Sequence, residues 1–123
     1  MKQNPVRWFE IYVQDLKRAK KFYEKVLAVK LEKLKSPGMD MVCFPMEMKA
    51  SGCSGALVCM KGVCSGCNST LVYFASADCA IEEARVVKAG GKIHKPKFAI
   101  GEYGFISLVV DTEGNLIGLH SLK

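Results

Sequence analysis

The stretch Arg7–Val29, RWFEIYVQDLKRAKKFYEKVLAV, decides how the rest of the chain is read. Trp8, Glu10 and Tyr12 alternate with Phe9, Ile11 and Val13, the period-two pattern of a strand. Asp15 stands where a helix N-cap belongs, its carboxylate free to accept from the orphan N–H groups of a first turn. Leu16, Ala19, Tyr23 and Val26 then share one helical face, with Phe22 and Leu27 beside it. Lys17, Arg18, Lys20, Lys21, Glu24 and Lys25 fall largely on the solvent side. The two faces of the strand differ. Phe9, Ile11 and Val13 suit packing under the helix, whereas Trp8, Glu10 and Tyr12 set a carboxylate between two aromatics. An unpaired buried carboxylate is costly, so this second face looks onto solvent or a polar cavity.

The same layout returns sixty-three residues later in Thr70–Gly91, TLVYFASADCAIEEARVVKAGG. Asp78 matches Asp15, Leu71 matches Trp8 and Tyr73 matches Glu10. Two such starts in 123 residues imply two copies of one module, at about 5–61 and 69–122, within a single domain spanning 1–123. After the first helix, strands are expected at Lys30–Lys35, Met39–Met46 and Ala56–Met60, with a turn at Ser36-Pro37-Gly38. Gly62–Asn68, GVCSGCN, is the junction between modules. In the second module the pattern predicts a strand at Thr70–Ser76 and a helix at about Asp78–Ala89, stopped by Gly90-Gly91. A strand begins at Lys92–His94 and is interrupted by Pro96, and Phe105–Val110 and Leu116–Ser121 are strands joined by a turn at Asp111–Asn115. The order is βαβββ twice, an α+β fold.

Composition narrows the classes of function. Half the residues are hydrophobic and 24% are charged, as in a soluble globular chain. No apolar run approaches a membrane span, and the segment MKQNPVRWF has no signal-peptide apolar region, so no membrane role and a cytoplasmic location are expected. The net charge of +6 comes largely from lysines on one helix face, and such a run is usually a solvated surface. With no DNA-binding motif and no arginine-aromatic interleaving, no nucleic-acid partner is expected. Six cysteines without a secretion signal read as thiols rather than disulfides.

WFEIYVQDLKRAKKFYEKVL, LVYFASADCAIEEARVVKAGGKI and the closing DTEGNLIGLH together resemble the vicinal oxygen chelate superfamily, which includes glyoxalase I, the bleomycin-resistance proteins and the extradiol dioxygenases. The chain is most similar to its uncharacterised glyoxalase-like branch. The resemblance implies paired βαβββ modules whose curved mixed sheets form a cup, a small-molecule ligand and a homodimer. It also assigns metal-ligand positions. In this chain those positions hold Trp8, Leu71 and Gly118, and the fourth falls within Gly55–Met60, which has no His, Asp or Glu. No cofactor and no metal ligand are therefore expected, with a divalent metal at a shifted site as the alternative.

Residues two apart on a strand share a face. Glu10 therefore follows Trp8, His120 follows Gly118 and Tyr73 follows Leu71. If the modules close as in the family, these side chains line one cavity, with Glu10 and His120 as acid–base groups and Trp8 and Tyr73 as ligand-binding walls. The plainer alternatives are a Glu10 paired with a lysine or with His120, a core Tyr73 and an idle His120 near the C-terminus. Cys64-Ser-Gly-Cys67 is a C-x-x-C on a loop, able to serve zinc or redox chemistry, though a lone C-x-x-C is weak evidence. Three functions remain open: a lyase or isomerase acting on a small organic substrate, a non-catalytic sequestering protein of the bleomycin-resistance type, and a thiol or zinc protein using Cys64 and Cys67.

Overall fold

The computed structural model describes residues 3–35 and 38–123. The Ser36 and Pro37 of the expected turn lie outside the described residues, as do Met1 and Lys2 of the segment read for a signal sequence. The first module runs β1 (Phe9–Tyr12), α1 (Leu16–Leu27), β2 (Glu32–Leu34), β3 (Asp40–Cys43) and β4 (Gly55–Cys59). The second runs β5 (Tyr73–Ala75), α2 (Cys79–Val86), β6 (Lys92–Ala99), a 3-10 turn at Gly101–Tyr103, β7 (Phe105–Val110) and β8 (Leu116–Ser121). The predicted βαβββ order thus occurs twice.

Each module makes one four-stranded mixed sheet, ordered β1-β4-β3-β2 and β5-β8-β7-β6. The first strand of each lies parallel to the last, Glu10 beside Ala56 and Tyr73 beside Gly118, and the remaining pairs are antiparallel. Both helices begin at the expected caps. The Asp15 carboxylate accepts from the Arg18 N–H at 3.0 Å, and that of Asp78 from the Ala80 N–H at 3.0 Å.

Strands β2 and β5 are shorter than the expected Lys30–Lys35 and Thr70–Ser76, and three further departures have a local reason. The strand at β3 stops at Cys43, two residues before Pro45, which lacks the N–H a ladder needs. Helix α2 ends at Val86; the Gly91 N–H turns back to the Val86 carbonyl at 2.9 Å and closes the helix early. Pro96 does not interrupt β6, which runs through it to Ala99. This strand is the sheet edge, and register shifts against β7 at Ile93/Lys95 and Lys95/Phe98 absorb the missing donor.

One core serves both modules. Phe22, Tyr23 and Val26 of α1 pack with Leu57 of β4, Val86 of α2, and Val109, Ile117 and Leu119 of the second sheet. Around Tyr23 the rings of Phe9, Phe44 and Phe74 meet at centroid distances of 5.4 to 5.8 Å. A fully buried ring such as Tyr23 contributes about 2 kcal/mol of transfer free energy, with a further gain from the tilted and edge-on contacts to its neighbours, of which Phe9 and Phe74 are partly buried.

The closing turn joins the two modules. Glu113 has no exposed side-chain surface, yet it bonds residues far away in the chain. Its carboxylate accepts from the backbone N–H groups of Gln14 and Asp15, from both Arg18 Nε and Nη2 at 2.7 and 2.9 Å, and from the Thr112 hydroxyl. Burial alone would raise this carboxyl, but Arg18 and the converging donors hold it at about 2. Asp111 receives the buried Tyr23 hydroxyl at 2.6 Å, and Asn115 donates to the Tyr12 carbonyl at 3.0 Å. Burial, together with the Asp111 charge, pushes the Tyr23 phenol well above its ordinary value. The second module therefore fixes the end of β1 and the start of α1, the segment that presents Glu10.

Candidate site on the open sheet faces

Each sheet spends one face on the common core and leaves the other open. On the first sheet Phe9 and Ile11 turn inward, so Trp8, Glu10 and Tyr12 share the opposite face. Glu10 is exposed, and its two oxygens are held by its own neighbours. The Trp8 indole donates to one at 3.2 Å and the Tyr12 hydroxyl to the other at 2.9 Å. The bond to Glu10 raises the Tyr12 phenol pKa, because it favours the protonated donor. Met41, Ala56 and Val58 lie buried beneath, with Met39, Cys43 and Met60 packed against them. The result is an oriented carboxylate between two aromatic side chains over an apolar floor.

On the second sheet the same parity exposes Tyr73 while Phe74 turns to the core. Tyr73 lies flat beside Gly118, and a Cβ at 118 would collide with its ring carbons. His120 is half-buried, and its Nε2 lies 2.7 Å from the Tyr103 carbonyl. A carbonyl only accepts, so Nε2 carries the proton and Nδ1 of a neutral ring is left as acceptor.

The predicted residues thus come two from each module. Trp8 and Glu10 are bonded on the first sheet; Tyr73 and His120 stand on the second, across Gly118 and Ala75 of the paired strands. Among the described residues no hydrogen bond or ion pair joins Glu10 to His120. Trp8 also borders a hollow of about 510 Å3 with Arg7, Met46, Glu47 and Ser54, and Glu10, Tyr73 and His120 do not line it. Tyr12 was missed as a site residue, although the alternation of 8, 10 and 12 already placed it on this face.

The chelate positions implied by resemblance do not fit a metal ion. The Trp8 indole N–H donates a hydrogen bond to Glu10, and the nitrogen lone pair belongs to the aromatic ring, so none is free for a cation. At Gly118 the Tyr73 ring fills the place a ligand side chain would take, and Leu71 is apolar. Among the described residues no group of three or more His, Cys, Asp or Glu is placed to hold a metal ion. No helix among them is long and apolar enough to cross a membrane.

The model of the Glyoxalase/Bleomycin resistance protein/Dioxygenase superfamily matches residues 6–119. No curated protein matches the chain by sequence. Among solved structures the chain is similar to a glyoxalase-related enzyme from Fulvimarina pelagi, at 19% identity and TM-score 0.71, covering 98% of this chain and 88% of that one. It is similar to TnmS3, an antibiotic binding protein from Streptomyces sp. CB03234, at 23% identity and TM-score 0.72, covering 98% of both chains. Glyoxalase I from Zea mays matches at 25% identity and TM-score 0.75 over 96% of this chain, which spans 46% of that longer one.

Proposed function

The chain belongs to the Glyoxalase/Bleomycin resistance protein/Dioxygenase superfamily, and we propose that within it this protein binds a small organic molecule on its open sheet faces. Trp8 and Tyr73 are the aromatic walls, and Glu10 and His120 the polar contacts. The observation that carries this reading is the Trp8–Glu10–Tyr12 arrangement. A carboxylate already oriented by two donors keeps lone pairs for a ligand N–H or O–H and loses little freedom when one binds. The partly buried Met39, Cys43 and Met60 beside it supply apolar contact area for a flat ligand. Sequestration is the form we favour, because Trp8 and the Tyr73 ring stand where the resemblance puts metal ligands. An antibiotic binding protein of the same fold and extent is a precedent for binding in this fold. A lyase or isomerase step is the second reading, with Glu10 as base and the free Nδ1 of His120 as its complement.

The proposal includes a homodimer. Met39, Cys43 and Met60 on this sheet are only partly buried and leave apolar surface, apart from Trp8 and Tyr12, that a second copy would cover. A cytoplasmic setting, which keeps thiols reduced, is also part of it.

Trp8 is the single tryptophan, so its fluorescence reports this face directly. Titration with a panel of small planar aromatic compounds is expected to give saturable quenching by at least one, weakened in Glu10→Gln. A panel without a saturable response, or a hit whose affinity is the same in Trp8→Phe and Glu10→Gln by calorimetry, would refute the site. Sedimentation at micromolar concentration tests the dimer; a monomer there counts against it.

A further inference from the structure

The cysteines divide differently from their spacing in sequence. Cys59 ends β4, and the chain then turns back through Met60-Lys61-Gly62-Val63, closed by the Val63 N–H on the Met60 carbonyl at 3.2 Å. Gly62 takes φ +88, which a side chain would resist. Cys59 and Cys64 therefore stand on either side of one tight turn. Gln14 gathers both ends of it. Its carbonyl accepts the Cys59 thiol at 3.6 Å, and its side-chain amide donates to the Val63 carbonyl at 3.1 Å. Cys59 and Cys64 line the same hollow of about 630 Å3, and Cys67 does not. Met39 and Met60, one residue beyond the Asp40–Cys59 register pair, line it as well. Cys67 instead sits past Gly66, whose N–H is held by Asn115 at 2.7 Å.

We propose that Cys59 and Cys64 form a two-thiolate site for a soft monovalent cation, Cu(I), in this hollow. The donor set selects the metal. Thiolates and thioethers are soft ligands and favour Cu(I), which is satisfied by two sulfurs. Zinc wants four ligands of the Cys, His or carboxylate kind. The hollow does carry Asp40, but it does not combine with the two thiols into a group of three placed for a metal ion. On binding, each thiol releases its proton to solvent and Cu(I) is held between two thiolates, leaving a net charge of −1. Lys61, which lines the same hollow, supplies the compensating charge.

The test is an anaerobic titration of the full chain with Cu(I), in competition with the chromophoric chelator bicinchoninate. Wild type is expected to withdraw one Cu(I) per chain, and Cys67→Ser and Cys53→Ser are expected to match it. Cys59→Ser and Cys64→Ser should each weaken binding about a hundredfold or more, since even outer-shell partners are worth ten- to a hundredfold. Cys64 is exposed, so its variant stays interpretable if Cys59→Ser fails to fold by circular dichroism. Unchanged affinity in Cys64→Ser overturns the site. So does loss of binding in Cys67→Ser, which would return it to the C-x-x-C pair, and so does stoichiometric Zn(II) binding in place of Cu(I).

Discussion

Two glutamates, Glu10 and Glu113, sit on structures that meet at the end of β1, and they are used in opposite ways. Glu113 is buried among five donor atoms drawn from the first module and its own turn, two of them from one guanidinium. Nothing is left for a ligand to take. Glu10 is exposed and held only by two neutral donors two residues away on its own strand. A carboxylate that is saturated by distant parts of the fold is holding the fold together. One that is oriented locally and still open to solvent is available for recognition. Arg18 and the converging backbone donors also hold the Glu113 carboxyl at about 2, so it is ionised at neutral pH.

The sharpest way to break this contrast is to remove each carboxylate's charge in turn. Glu113→Gln is expected to cost about 3 kcal/mol in urea unfolding, since it strips a buried partner from Arg18 and from two backbone N–H groups. A loss no larger than that of Glu10→Gln would erase the distinction. Gly118→Ala comes next. The added methyl meets the Tyr73 ring, and a cost of about 1 to 3 kcal/mol is expected. Most of it should vanish in the double variant with Tyr73→Ala; failure of that rescue would mean the clash lies elsewhere. Tyr23→Phe removes the hydroxyl from Asp111, with an expected loss of about 1 to 2 kcal/mol.

Acid unfolding sharpens the comparison further. The folded Glu113 carboxyl titrates at about 2 against an ordinary 4.5, so its contribution is complete above the ordinary value and drains away as pH falls towards 2. The stability gap between wild type and Glu113→Gln should therefore narrow steadily over that window. A gap independent of pH would show that the carboxylate charge is not what the joint uses. The smallest effect is expected at Glu10→Gln, within about 0.5 kcal/mol by urea unfolding, because the group is exposed. Its consequence should be confined to ligand-dependent Trp8 fluorescence.

Local physics was legible in the chain. Alternation at 8, 10 and 12 put Glu10 beside Trp8 on the non-core face, and the matched Asp15 and Asp78 marked both helix starts. Period and cap chemistry act over a few residues, so nearby letters suffice to read them. Boundary details were not so readable. Pro96 reads as an interruption until β6 is known to be an edge strand whose register against β7 slips around it.

What only the tertiary structure decided is the set of contacts between residues far apart in sequence. DTEGN reads as a turn, yet its Glu113 is the anchor of a helix that begins ninety-seven residues earlier, at Leu16. The C-x-x-C spacing draws the eye to Cys64 and Cys67, whereas the fold lines one hollow with Cys59 and Cys64 and leaves Cys67 out of it. The four candidate residues share strand parity, but parity says only which face a side chain takes. Where two such faces stand relative to one another depends on how the sheets pack around their common core. By itself the sequence determined the elements, their order and their faces, because those follow from backbone period and short-range capping. Packing and long-range hydrogen bonds decided which carboxylate was structural and which was open, because burial belongs to the folded chain and to no single stretch of it.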